Sequence, residues 1–69
     1  MSTLADVVLP LPLYKYFTYR IPSDLQEALQ IGSRVVVPFG RKKYYTAIVV
    51  RLHDVMPQGY EVKELISVL

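Results

Sequence analysis

The chain has 69 residues and no cysteine, so it has room for one small domain, with neither disulfides nor thiolate metal ligands to stabilise it. Its formal net charge of +2 permits a nucleic-acid partner without requiring one. Its apolar runs are much shorter than the roughly 18 residues of a membrane span, and the N-terminus lacks a signal-peptide pattern. We therefore expect a single packed domain over residues 1–69, located in the cytoplasm.

Two strands are predicted in the N-terminal part of the chain. Residues 4–9 are β-prone, and the Pro-Leu-Pro corner that begins at Pro10 stops them. The aromatic-rich residues 14–21, bounded by Pro22, form the second predicted strand. Alternation divides this strand into two faces, with Lys15, Phe17, Tyr19 and Ile21 on one and Tyr14, Tyr16, Thr18 and Arg20 on the other.

Residues 23–32 carry the one helical pattern of the sequence. Ser23 and Gln26 have the spacing of a capping box, Leu25 and Leu29 share a face, and Gly32 follows as a stop signal. A helix of two turns is too short to be stable alone, so we expect it to pack against a sheet.

The C-terminal half predicts two further strands and one ambiguous segment. Residues 33–39 and 44–53 read as strands joined by a sharp turn at Gly40, and the second reads as central because it is apolar on both faces. Residues 54–60 read as a loop. Residues 61–69 fit either a strand or a helix, and we favour a strand because it would close a barrel and cover the sheet edges.

These elements predict an all-β fold: a small, closed or partly open antiparallel β-barrel, OB-like in shape, with one short helix. The chemistry of catalysis is missing from the pattern, because no nucleophile has an evident base and the carboxylates are scattered. We expect no enzyme activity, no metal site and no cofactor in this chain. The single histidine, His53, is expected to be a half-exposed loop residue without a role.

Aromatic and basic residues are the side chains of this sequence that best suit ligand binding. It has six tyrosines and two phenylalanines, and Arg41, Lys42 and Lys43 follow the turn at Gly40. Single-stranded nucleic acid is held by this combination, because rings stack on bases while cations meet phosphates. The alternatives are that the rings are core residues and that the basic triplet is a solvated hairpin tip. A protein-interaction barrel therefore remains open beside a nucleic-acid-binding one.

Three segments, VVLPLPLYKYFTYRIP, IGSRVVVPFGRKKYYTAIVV and EVKELISVL, together cover almost the whole chain. In order and spacing they resemble the N-terminal DNA-binding domain of the bacterial replication-restart helicase PriA (primosomal protein N-prime). The resemblance implies a domain that binds the 3′ end of single-stranded or nascent-strand DNA at a stalled fork. It implies that the chain is a fragment of a longer ATP-dependent 3′–5′ helicase.

The resemblance implies further partners for that parent protein. Its ATP, magnesium and zinc sites would lie in later domains, and it would meet primosome and single-strand-binding proteins there. The rival interpretations are an SH3-like peptide-binding barrel, a general RNA or single-stranded-DNA barrel without end recognition, and a docking domain for the rest of a larger protein.

The resemblance also implies a pocket for the terminal nucleotide, formed by Phe17, Thr18, Tyr19, Gly40 and Lys63. Phe17 would be an apolar wall, Gly40 would let the backbone approach the DNA, and Lys63 would donate to a phosphate or to the 3′-hydroxyl. Thr18 stands where the family often has aspartate, so the pocket loses a carboxylate that accepts hydrogen bonds. The basic triplet at residues 41–43 would supply candidate phosphate contacts at its rim.

Overall fold

The computed structural model describes residues 2–59 and 61–69, which form one sheet of five strands. The strands are β1 (Leu4–Val8), β2 (Phe17–Arg20), β3 (Arg34–Pro38), β4 (Tyr44–His53) and β5 (Ser67–Val68). Their order in the sheet is β2-β1-β4-β3-β5, and every neighbouring pair is antiparallel. The nearly all-β architecture of a partly open barrel confirms the predicted fold class.

Strand β4 is the centre of the sheet, as its two-sided apolar pattern predicts. It pairs with β1 along one side and with β3 along the other. The pairing with β1 contains a bulge, since Val7 faces Val49 while the preceding Asp6 faces Arg51. A bulge of this kind bends its strand and increases the local twist, which helps so small a sheet to curl on itself.

Strand β2 is shorter than predicted, because residues 14–16 lie outside it. Its pairing with β1 runs from Arg20 opposite Leu4 to Phe17 opposite Val7, near the end of β1. Beyond Val8 the proline corner turns the chain away, so Tyr16 and the residues before it have no strand to pair with. The predicted division into two faces holds within β2, where Phe17 and Tyr19 pack with the core.

The predicted helix over residues 23–32 is wrong. Only Ser23–Leu25 is helical, as a single 3-10 turn, and no side chain caps it. Residues 26–32 form turns and no further helix. The Gly32 N–H donates to the Val49 carbonyl at 2.7 Å, and the Val49 N–H donates to the Ser33 carbonyl at 2.9 Å, so the chain lies beside β4 directly after this stretch. Tertiary pairing at its end thus overrides local propensity.

The C-terminal segment, residues 61–69, is extended rather than helical, and its first part lies against β2. The Arg20 N–H donates to the Lys63 carbonyl at 2.8 Å, and the Leu65 N–H donates to the Arg20 carbonyl at 3.0 Å. These bonds form a parallel bridge between Arg20 and Glu64. At Arg20, the free side of β2 is therefore covered by the C-terminal segment.

The second part of the C-terminal segment lies against β3, at the other side of the sheet. The Ile66 N–H donates to the Val36 carbonyl at 2.7 Å, and the Leu69 N–H donates to the Arg34 carbonyl at 2.8 Å. Strand β5 lies between these two bonds. One short segment thus has backbone hydrogen bonds to both sides of the sheet. Of the strand expected over residues 61–69 only Ser67–Val68 forms, and the barrel stays partly open. The predicted loop before it is confirmed for residues 54–59, and Tyr60 lies outside the described residues.

Apolar side chains from strands β1 to β4 and from the C-terminal segment fill the interior. Val35, Val37, Val49 and Leu65 are almost completely buried there. The residues of the contiguous core are Ala5, Val7, Leu9, Tyr19, Ile21, Leu29, Val35, Val37, Ala47, Val49 and Leu65. Among the described residues, no helix has the length and apolar character needed to cross a membrane.

Replacing Leu65 with alanine is expected to lower the free energy of unfolding by about 2–5 kcal/mol, because a buried side chain would leave a cavity in the core. Leu65 is 2% exposed, whereas its neighbour Ile66 is 52% exposed. Ile66→Ala is therefore the matched control and is expected to change stability by about 0.5 kcal/mol or less. Urea denaturation followed by circular dichroism measures both. Equal losses of unfolding free energy in the two variants would contradict the placement of Leu65 in the core.

Candidate nucleic-acid interface

An open cleft of about 380 Å³ lies where the C-terminal segment meets β2 and the end of β3. Its volume is in the lower part of the range of roughly 300–1,000 Å³ that is typical of small-ligand sites. The lining residues are Lys15, Phe17, Thr18, Tyr19, Pro38, Phe39, Gly40, Gly59, Glu61 and Lys63. All five residues predicted for the terminal-nucleotide pocket are among them, although they come from three separate stretches of the sequence.

Aromatic rings form the apolar wall of the cleft. The rings of Phe17 and Phe39 meet edge to face, with centroids 5.0 Å apart, and Phe39 meets Tyr45 in the same way at 6.2 Å. The Tyr19 hydroxyl donates to the Pro38 carbonyl at 2.7 Å and so ties β2 to the end of β3. Edge-to-face contacts and this hydrogen bond fix the wall in place before any ligand arrives.

Charged side chains surround this wall. The Lys15 ammonium lies 4.9 Å from the centroid of the Phe17 ring, and Lys63 and Glu61 enter from the C-terminal segment. Sequence reasoning missed Lys15 and Glu61 as lining residues. For Lys15 the signal was present, since alternation places it on the same face as Phe17. Glu61 carries no such signal, because the segment that brings it here could be positioned only by long-range pairing.

The turn between β3 and β4 contributes Gly40 to the cleft, and the basic triplet lies beyond it. Gly40 has φ +71° and Lys42 has φ 56°, both in the left-handed region. The Phe39 N–H donates to the Lys43 carbonyl at 3.0 Å and closes the turn. Arg41, Lys42 and Lys43 are exposed and do not line the cleft. They stand next to its Gly40 edge, so their predicted role as rim contacts stays a prediction.

A β-carbon at Gly40 would meet no other atom within 4 Å, so open space lies where a side chain would project. The constraint on this position within the folded chain is therefore its backbone conformation and not crowding by the protein. Any steric need for glycine would have to come from a bound ligand.

Thr18 borders the cleft, and its hydroxyl is engaged by the protein. It donates a hydrogen bond of 2.7 Å to the Oδ1 atom of Asp6, its cross-strand neighbour on β1. Asp6 is also paired with Arg51 on β4, whose Nε lies 3.4 Å from Oδ2. The cross-strand register of β2, β1 and β4 brings these three residues together, and sequence reasoning, which treated Asp6 as one of several scattered carboxylates, missed the cluster.

His53 completes this cluster, and the prediction that it is a half-exposed loop residue without a role is wrong. It ends β4, its side chain is 13% exposed, and Nε2 lies 2.7 Å from Oδ1 of Asp6. The Val55 N–H donates to Nδ1 at 3.0 Å, which places the ring hydrogen on Nε2 and makes His53 a donor to Asp6. The role of His53 is structural, since it links the end of β4 to β1.

The protonation of Asp6 follows from these contacts. Burial alone would raise the pKa of the Asp6 carboxyl, but hydrogen bonds from Thr18 and His53 and the proximity of His53 and Arg51 outweigh burial and lower that pKa below its usual value. Asp6 therefore stays ionised at neutral pH and serves as the acceptor at the centre of the cluster.

The residues that the structure describes contain no group of three or more histidine, cysteine or carboxylate side chains able to hold a metal ion. The cleft instead combines aromatic rings, two ammonium groups and a glycine-containing turn on a small partly open barrel. Barrels of this shape bind nucleic acid through rings that stack on bases and cations that follow the backbone.

The class of protein that this fold and cleft define is therefore a small nucleic-acid-binding barrel. A family model described as the 3′ DNA-binding domain (3′BD) of PriA matches residues 6–69, nearly the whole chain. The chain belongs to this family of DNA-binding domains. No curated protein matches the chain significantly.

Replacing Asp6 with asparagine is expected to lower the free energy of unfolding by about 1–3 kcal/mol at pH 7, because a charge-assisted acceptor is lost. The pKa of Asp6 is lower in the folded chain than in the unfolded one. The ionised carboxylate therefore stabilises the fold above the pKa of the unfolded state, and this stabilisation is lost as the pH falls through the pKa of the folded state. The difference between wild type and variant should therefore shrink below about pH 4.

Urea denaturation at pH 7, 5 and 3 measures this difference. Glu27→Gln, a neutralisation of an exposed carboxylate, controls for the change in net charge. An Asp6→Asn effect of the same size at pH 3 and pH 7 would mean that the ionised carboxylate does not stabilise the cluster.

Proposed function

We propose that this domain binds the 3′ end of single-stranded or nascent-strand DNA at stalled forks, with the terminal nucleotide in the cleft. The observation that carries the proposal is the meeting of an aromatic wall, two ammonium groups and an uncrowded glycine in one open cleft, in a chain of the 3′ DNA-binding domain family. Because the cleft is small and open, it suits one nucleotide better than an internal stretch of a strand.

Each cleft residue has a distinct part in this proposal. Phe17 presents a half-buried ring against which a base or sugar packs, and Phe39 supports it edge to face. Lys63, which also lines the cleft, donates to a phosphate or to the 3′-hydroxyl. Gly40 leaves room for the sugar beside the turn. Tyr19 acts indirectly, because its hydroxyl holds the two protein walls together.

Thr18 borders the cleft and is positioned by Asp6. Its hydroxyl donates to Oδ1 of Asp6 at 2.7 Å, and this hydrogen bond fixes the side chain at the cleft wall. Asp6 is thus a positioning residue for the cleft, and Thr18 brings no carboxylate where the family often has aspartate.

Membership of this family supports a proposal about the role of the domain in a longer protein. As the first module of a replication-restart helicase, it would orient a motor that uses ATP and magnesium, and zinc would be bound by later domains as well. The setting would be the bacterial cytoplasm, and the primosome and single-strand-binding proteins would be partners of the parent protein. Recognition of a terminus would position the motor at the fork without reading base sequence.

A general single-stranded DNA barrel without end recognition is the alternative. The observation in its favour is the exposed basic triplet at residues 41–43, which lies outside the cleft and can meet phosphates of any strand. The two functions differ in their response to the chemistry of the 3′ terminus and to salt.

The wild-type domain is expected to bind a short single-stranded DNA with a free 3′-hydroxyl at least about threefold more tightly than the same strand with a 3′-phosphate, since a hydrogen bond is lost and a charged group must be accommodated. Gly40→Asn should remove this preference, because the new side chain projects into the space beside the cleft. Fluorescence anisotropy with a 5′-labelled strand at low salt measures both.

The matched control is Gly32→Asn. Gly32 also has positive φ, and a β-carbon at this position would likewise meet no atom within 4 Å, but Gly32 does not line the cleft. Asparagine tolerates the left-handed region, so both variants should fold. A wild-type domain that binds the two termini equally would overturn end recognition, and an equal effect of both substitutions would remove Gly40 from the site.

Neutralising Arg41, Lys42 and Lys43 together to glutamine is expected to weaken binding to both termini by the same factor. The slope of log K against log salt should become shallower by about 0.7 for each phosphate contact that is lost. The ratio between the free and the phosphorylated 3′ end should stay unchanged, because the triplet lies outside the cleft. An unaltered salt slope would show that the triplet is simply solvated.

A further inference from the structure

A second, shallower hollow adjoins the cleft. Its lining residues are Val8, Leu13, Tyr14, Lys15 and Tyr16. Lys15 lines both the cleft and this hollow, so the two form one continuous surface. The segment that carries the tyrosines follows the proline corner and precedes β2, which leaves their side chains outside the sheet.

The two tyrosines of the hollow are unusually accessible. Tyr14 is fully exposed and Tyr16 is 62% exposed, although each carries a large ring. In a chain that needs apolar surface for its core, rings left in water are not explained by packing. They flank Lys15, whose ammonium already lies 4.9 Å from the Phe17 ring of the cleft.

We propose that this hollow, which we call the second subsite, holds the nucleotide that precedes the 3′-terminal one. The proposal rests on the proposed function, since it requires the terminal nucleotide to lie in the cleft. Lys15, which lies at the junction, meets the phosphate that links the two nucleotides. Tyr14 and Tyr16 offer ring faces for the second base, and stacking of this kind is indifferent to base identity.

The geometry favours DNA over a polypeptide as the occupant. The second subsite has a cation at its border with the cleft, and it continues the surface on which the terminal nucleotide is placed. A strand that enters the cleft by its 3′ end has to leave across a neighbouring surface. This hollow adjoins the cleft through Lys15 and offers both an ammonium group and two exposed rings.

The test uses a 5′-labelled single strand in which an abasic site replaces either the second or the sixth nucleotide from the 3′ end. For the wild-type chain we expect the abasic site at the second position to lower affinity at least about fivefold, as loss of one base–ring stack does. The abasic site at the sixth position should have a smaller effect. Anisotropy at fixed low salt measures each affinity.

Substitution of the tyrosines identifies the partner of that base. Tyr14→Ala and Tyr16→Ala, singly and together, should lower affinity for the intact strand, and the double variant should no longer distinguish the abasic site at the second position. Tyr14→Phe and Tyr16→Phe keep the ring and should bind like wild type. Ile31→Ala, which truncates another exposed apolar side chain, controls for non-specific effects.

Failure of the second subsite can be distinguished from failure of the proposed function. If the wild-type chain prefers a free 3′-hydroxyl but responds equally to both abasic positions, the second subsite is wrong and end binding stands. If it shows no preference between the two termini, end binding fails, and the second subsite fails with it. Unchanged DNA binding by the double alanine variant also overturns the second subsite.

Discussion

The contact of residues 61–69 with both sides of the sheet is the constraint on which the rest of the structure depends. Backbone hydrogen bonds link this segment to Arg20 at one side of the sheet and to Arg34 and Val36 at the other. Leu65, between the two sets of bonds, fills the core. A domain of 69 residues has little apolar surface to bury, so covering both open sides with one segment protects unpaired strand edges and completes the interior together.

The same contact creates the cleft. Phe17 at the start of β2 and Phe39 after β3 meet edge to face, and the C-terminal segment adds Lys63 and Glu61 to the lining of the cleft beside them. The site is therefore assembled from three distant stretches of chain. Its wall is nevertheless held by contacts within the wall itself, which are the ring contacts and the Tyr19–Pro38 hydrogen bond. This division explains how so small a fold can present a preformed site.

Local sequence patterns predicted the features that depend on neighbouring residues. The bounds of β4, the turn at Gly40 and the division of β2 into two faces follow from alternation and turn chemistry. The predicted helix forms only one 3-10 turn, and the stretch ends in hydrogen bonds between residues 32 and 33 and β4, which capping signals do not reveal. The cluster around Asp6 was missed for a related reason, because its partners Thr18 and His53 lie 12 and 47 residues away and meet only through strand register. The cleft residues were found together through the family resemblance rather than through periodicity.

The cluster around Asp6 connects the stability of the fold to the chemistry of the site. A carboxylate on the central part of the sheet is costly to bury unless donors surround it, and Thr18, His53 and Arg51 supply them. Because Thr18 also lines the cleft, the hydrogen bond that stabilises Asp6 fixes one part of the cleft wall. The strands that bury the carboxylate therefore also position a side chain at the cleft, so loss of the cluster would affect both the fold and the cleft.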